Sequence, residues 1–99
     1  MTNEMILSTC KKMLFGSDTG TFRDDLLNLY INEVIDFMKN AGVAENVIRA
    51  DSTVGVIALG VNDLWNYQAG GVKLSEYFKT RVVQLAAAEL DDTTTGGGV

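Results

Sequence analysis

The chain has no histidine. That absence removes the commonest general base and the commonest metal ligand together. Cysteine is nearly absent as well. Cys10 stands alone, so no internal disulfide can form, and a single thiol reads as a small core residue in a reducing compartment. Basic residues are few: 8 Lys and Arg against 13 Asp and Glu give a formal net charge of -5, which leaves no broad basic face for nucleic-acid phosphates. No apolar run approaches the roughly 20 residues that span a bilayer. Glu4 precedes a short apolar patch and Lys11-Lys12 follow it, the wrong order for a secretory signal. The expectation is a protein made in the cytoplasm with no membrane contact, no cofactor and no metal.

What the chain does have is a nearly uncharged segment in its middle. Residues 52–68 carry one charge, Asp63, and Val54 to Val61 lack any polar side chain. At about 100° per residue, Val54, Val56, Ile57, Ala58, Val61, Leu64 and Trp65 fall on one continuous arc. Gly55, Asn62, Asp63 and Asn66 gather on the narrow remainder, which Leu59 interrupts. The pattern predicts a central, mostly buried helix over residues 52–68, capped by Ser52 and stopped by Gly70-Gly71. The Asn62, Asp63 and Asn66 strip is left for a subunit contact or for solvent.

Three further helices lay a stripe on that post. Met5, Ile6, Leu7, Cys10, Met13 and Leu14 predict an amphipathic helix over about residues 3–15. The following loop, Gly16 to Gly20, lacks the Gly-Lys-Ser/Thr ending of a phosphate-binding loop and no strand precedes it, so it reads as a turn. A helix over about residues 21–41 opens on a weakened capping box, Thr21 with Asp24, and Asp24-Asp25 complement the helix dipole. Its predicted core stripe is Leu26, Tyr30, Val34, Phe37 and Ala41, flanked by Leu27, Ile31 and Met38. Leu29 falls in the polar arc beside Asn32, Asp36 and Asn40, which makes it a candidate contact. Residues 43–51 form a connector in which Val47 and Ile48 cap one end of the core. The last helix, about residues 74–90, is capped by Ser75 and carries Leu74, Phe78, Val82 and Leu85 on its apolar stripe, with Lys79 and Arg81 on a net-positive face that reads either as the helix's solvated side or as a surface that steers docking onto an acidic protein. Residues 91–99, ending in Gly96, Gly97, Gly98 and Val99, have no apolar period and read as a flexible tail.

The fold class is therefore all-α: a small four-helix bundle in a single domain, residues 1–90, with a tail, residues 91–99. The predicted core is Leu26, Tyr30, Val34, Phe37, Ile57, Val61, Leu64, Trp65, Phe78, Val82 and Leu85. Candidate interface residues are Leu29, Asn62, Asn66, Lys79, Arg81, Gly96, Gly97, Gly98 and Val99. Glu33 and Asp36 share a helix face, but two solvated carboxylates explain that spacing better than acid-base chemistry does. With no nucleophile-base pair, metal cluster or cofactor loop, no enzyme is expected.

The order and spacing of these parts resemble the small helical head-tail connector, or adaptor, proteins of long-tailed bacteriophages and prophages. The resemblance covers about residues 5 to 90. It lies in the short first helix, the loop with acidic residues, the long helix opening Asp24-Asp25-Leu26-Leu27, the apolar helix running into Leu64-Trp65-Asn66-Tyr67, and the final helix with Arg81-Val82-Val83-Gln84-Leu85. It implies a homo-oligomeric ring of about twelve copies, seated on the portal protein of the virion and offering a platform to a tail-completion or stopper protein. It also implies that DNA passes through the ring without specific binding, which suits an acidic chain. The glycine-rich tail departs from the family's pattern. The competing reading is a cytoplasmic helical regulator that binds one protein partner through a groove beside Trp65.

Overall fold

The computed structural model describes residues 1–67 and 74–98, with side chains to residue 87. Among the described residues five α-helices follow one another: α1 Asn3–Phe15, α2 Asp24–Asn40, α3 Glu45–Ile48, α4 Val54–Tyr67 and α5 Glu76–Gly98, with a 3-10 turn Asp51–Thr53 before α4. No strand occurs among the described residues. The bundle is all-α, as the periodicity predicts.

Helix α1 begins where the Thr2 hydroxyl accepts from the Met5 N–H at 3.2 Å, and it stops at Gly16, whose left-handed φ of 78° lets its N–H donate to the Lys12 carbonyl. The start of α2 differs from expectation. Thr21 and Asp24 form no capping box: the helix opens at Asp24, after Arg23 in the left-handed region at φ 61°, with no side-chain cap. Asp24 is committed elsewhere, to Lys11 of α1. At its other end α2 closes in a Schellman turn, with Gly42 N–H donating to Lys39 O, Val43 N–H donating to Met38 O, and Val43 buried.

The buried face of α2 is Leu27, Ile31, Val34, Ile35 and Met38. Of the predicted stripe, only Val34 is buried. Leu26, Tyr30 and Phe37 are half-buried and Ala41 is exposed. The apolar arc of α2 is wide, and packing against both α1 and α4 selects its Leu27 edge, with Ile35 added. Trp65 and Leu85, also expected in the core, are half-buried too, because each lies at a margin of its helix's contact. Ile57, Val61, Leu64, Phe78 and Val82 are buried as predicted.

Helix α4 is the central post: it packs on α1, α2, α5 and the 3-10 turn. Its expected Ser52 cap is not used. Ser52 is exposed within the 3-10 turn, and the neighbouring Thr53, buried, donates its hydroxyl to the Val47 carbonyl at 2.6 Å, which ties the turn to α3. Ile48 of α3 is fully buried at that end of the core. Lys11 near the end of α1 meets Asp24 at the start of α2, and Phe15 at the end of α1 meets Trp65 near the end of α4. Asp63 near the end of α4 caps the approach to α5. So α1 and α4 run one way, and α2 and α5 the other.

Ser75 caps α5 as predicted, its hydroxyl accepting from the Phe78 N–H at 3.1 Å. The backbone of α5 stays helical to Gly98, past the expected end at residue 90. Adding a residue to an established helix is easier than starting one, and the chain has no proline to interrupt it. The Gly70-Gly71 stop, the side chains of residues 88–99 and the contacts proposed for Gly96, Gly97, Gly98 and Val99 lie outside the described residues.

Candidate interaction surfaces

Two polar clamps build the first surface. Lys11, 6% exposed, donates to the Gly20 carbonyl and lies 3.0 and 3.3 Å from the two carboxylate oxygens of Asp24. One turn earlier on α1, the Ser8 hydroxyl donates to Asp18 Oδ2 at 2.6 Å. That bond, joined by the Lys12 ammonium 3.8 Å away, holds the Asp18 carboxyl below its usual range. The loop from Gly16 to Arg23 is thus fastened to α1 at both of its shoulders.

The fastened loop holds Phe22 out at 72% exposure. Its ring lies 6.5 Å from Phe15, edge-on, and Phe15 lies 5.3 Å from Trp65, again edge-to-face. The Arg23 guanidinium sits 5.9 Å from the Trp65 ring centroid, a cation-π distance. A non-glycine residue in the left-handed region costs of order 1 kcal/mol or more and persists where its surroundings over-determine it; here the clamps on either side do so. The result is an aromatic end to the bundle with one cation in it.

The second surface is a groove of about 340 Å³ between α1, α4 and α5, lined by Met13, Gly55, Val56, Leu59, Tyr77 and Arg81. Met13 and Tyr77 are exposed. Arg81 Nη1 donates to Gln84 Oε1 at 2.5 Å. Among the described residues, Arg23 and Arg81 are the arginines without a salt bridge, since Arg49 reaches Glu45 at 3.5 Å; Arg23 lies over the half-buried Trp65 ring, and Arg81 lines the groove with the exposed Tyr77.

Leu29, predicted to stand outside the core, is 61% exposed on α2. Asn66 is exposed and Asn62 half-buried. Asp63 leaves the polar strip for a structural role: its Oδ2 accepts from the Ser75 N–H at 3.1 Å and the Ser75 hydroxyl at 2.8 Å. Lys79 is exposed, 3.6 Å from Glu76, an ion pair of small energetic weight. Glu33 and Asp36 are both exposed. Lys11, Arg23, Phe15 and Phe22 escaped the sequence reading because nothing local distinguishes a lysine or phenylalanine that meets a residue in another element. The two glycines bracketing the loop were the available signal.

Burial pushes the Cys10 thiol up to about 12, so it is not a nucleophile near neutral pH. No group of three or more His, Cys, Asp or Glu able to hold a metal ion is found among the described residues, and no helix among them is long and apolar enough to cross a membrane. No family model, curated protein or solved structure matches the chain significantly.

Proposed function

We propose that the chain is a structural connector of a tailed bacteriophage or prophage, forming a ring at the head-tail junction that sits on the portal and presents a platform to a tail-completion protein. The observation that carries this reading is the distribution of exposed apolar side chains. Leu29 stands on the outer face of α2, Tyr77 and Met13 at the α1/α4/α5 groove, and Phe15 and Phe22 at the bundle end. A subunit held between two neighbours and two axial partners needs several distinct contacts of this kind. The acidic balance fits a channel that DNA traverses without being gripped. The absence of histidine from the whole chain is in keeping with a scaffold. Light scattering of the chain, alone and with purified portal ring, tests the reading. A ring, or a complex in which many copies decorate one portal, is expected; a chain that stays monomeric alone and with portal overturns it.

A second reading, a regulator that binds one protein partner, draws on the half-buried Trp65 with Phe15, Phe22 and Arg23 around it. A pull-down that returns one stable complex of equal stoichiometry favours that reading over the ring.

A further inference from the structure

Closed rings of identical subunits join two different surfaces, each copy's first surface seated on its neighbour's second. The bundle carries such a pair on opposite sides. Asp25, Leu29, Asn32 and Asp36 are all exposed and recur at the spacing of one helix stripe. On the helical wheel that stripe lies roughly opposite the buried Leu27, Ile31 and Met38. The α1/α4/α5 groove lies across the bundle and takes no residue from α2.

The two surfaces are complementary in charge, and the groove has room for an apolar side chain. The groove is open above Gly55, where an added Cβ would meet no atom within 4 Å, and its volume exceeds that of a leucine side chain. Its walls at Met13, Leu59 and Tyr77 are apolar in body, and Arg81 at its rim has no carboxylate among the described residues. The stripe offers one large apolar group, Leu29, with the Asp25 carboxylate one helical turn before it. Seating a lone leucine in a glycine-floored hole is knob-into-hole packing between helices of different subunits.

We propose that the groove of one copy receives α2 of a second copy, with Leu29 seated over Gly55 between Met13, Leu59 and Tyr77, and Asp25 paired with Arg81. The proposal rests on the ring reading and names the surface through which neighbouring subunits join. The contact is head-to-tail, so each copy retains a free stripe and a free groove for the next. Buried Cys10 does not interfere with thiol chemistry at this surface.

The test is disulfide trapping. A chain carrying both Leu29→Cys and Gly55→Cys, concentrated and mildly oxidised, is expected to give a covalent ladder of dimers, trimers and larger species, while either substitution alone stops at dimers. Arg81→Glu in the doubly substituted chain should reduce the ladder about tenfold, and adding Asp25→Arg should restore it. Helicity and melting of each variant, measured before oxidation, ensure that unfolded chains are not compared. A double-cysteine chain that gives no ladder overturns the docking surface. If the unsubstituted chain nevertheless sediments as an oligomer, the ring reading stands while this surface fails; if it is monomeric alone and with portal, both fail.

Discussion

A Cβ built on Gly60 of α4 would lie 2.6 Å from Cε1 of Phe78 on α5 and 3.0 Å from Cγ1 of Val34 on α2. Three helices therefore meet at a position where only hydrogen fits. The Phe78 ring is fully buried and lies 5.7 Å from that of Phe37, which leaves it no room to withdraw. Gly60→Ala is expected to lower stability by about 1–3 kcal/mol through overpacking, seen as a lower denaturant midpoint at unchanged slope. Gly55 lies on the same helix with open space above it, so Gly55→Ala should raise stability by about 0.5–1 kcal/mol through helix propensity. Opposite signs from one substitution on one helix are the check; a stabilising Gly60→Ala would mean that α4 does not approach α5 this closely.

The Lys11–Asp24 pair is asymmetrically buried, with 7% and 25% side-chain exposure. Removing the lysine strands a largely buried carboxylate, so Lys11→Met should cost about 1–3 kcal/mol, less than the full penalty for breaking a completely buried pair. Lys11→Met combined with Asp24→Leu should recover most of the loss, because no charge is then left alone. In the single variant, amide exchange over residues 17–22 should quicken as the loop loses its Gly20 anchor. Unchanged exchange there would show that the loop does not depend on Lys11.

Trp65 stabilises the bundle from its margin. Trp65→Ala should cost about 2 kcal/mol, short of the roughly 3–5 kcal/mol of a fully buried tryptophan. A double-mutant cycle with Phe15→Leu should return a coupling of about 0.5–1.5 kcal/mol for the edge-to-face pair. Zero coupling would separate the two rings.

Burial of Cys10 has a pH signature. Burial pushes the folded thiol up to about 12 from an ordinary value of 9.0, so well below pH 9 both folded and unfolded chains hold the proton and Cys10 adds no pH dependence. As pH rises from 9 toward 12 the unfolded chain loses that proton first, and stability falls. Cys10→Ala should flatten this alkaline decline even though it leaves a small cavity. Ellman's reagent at pH 8 should label the native chain only at the rate of its opening, and rapid labelling would place the thiol at the surface.

The helices themselves were legible in the residues. Three- and four-residue apolar spacing marks α1, α2, α4 and α5, and the Ser75 cap is a local signal that needs no partner. The nearly uncharged run from Val54 to Val61 identifies α4 as the post, because a segment without charge must be covered on most sides. The exposure of Leu29 followed in the same way from its place in a polar arc.

What only the tertiary structure decided is how those helices are turned and which polar groups they share. The apolar arc of α2 is wide enough for two rotations, and contact with α1 and α4 together chose the Leu27 and Ile31 edge over Leu26 and Tyr30. Asp63 left its polar strip to cap the turn at Ser75, and Lys11 left solvent to bind Gly20 and Asp24, each meeting a polar group that the fold brings in from another element. Phe15, Phe22 and Trp65 became one surface only when two helix ends and a loop met. Periodicity is a property of neighbours along the chain, whereas rotation, capping across elements and clustered side chains depend on residues far apart in sequence, which no local pattern records.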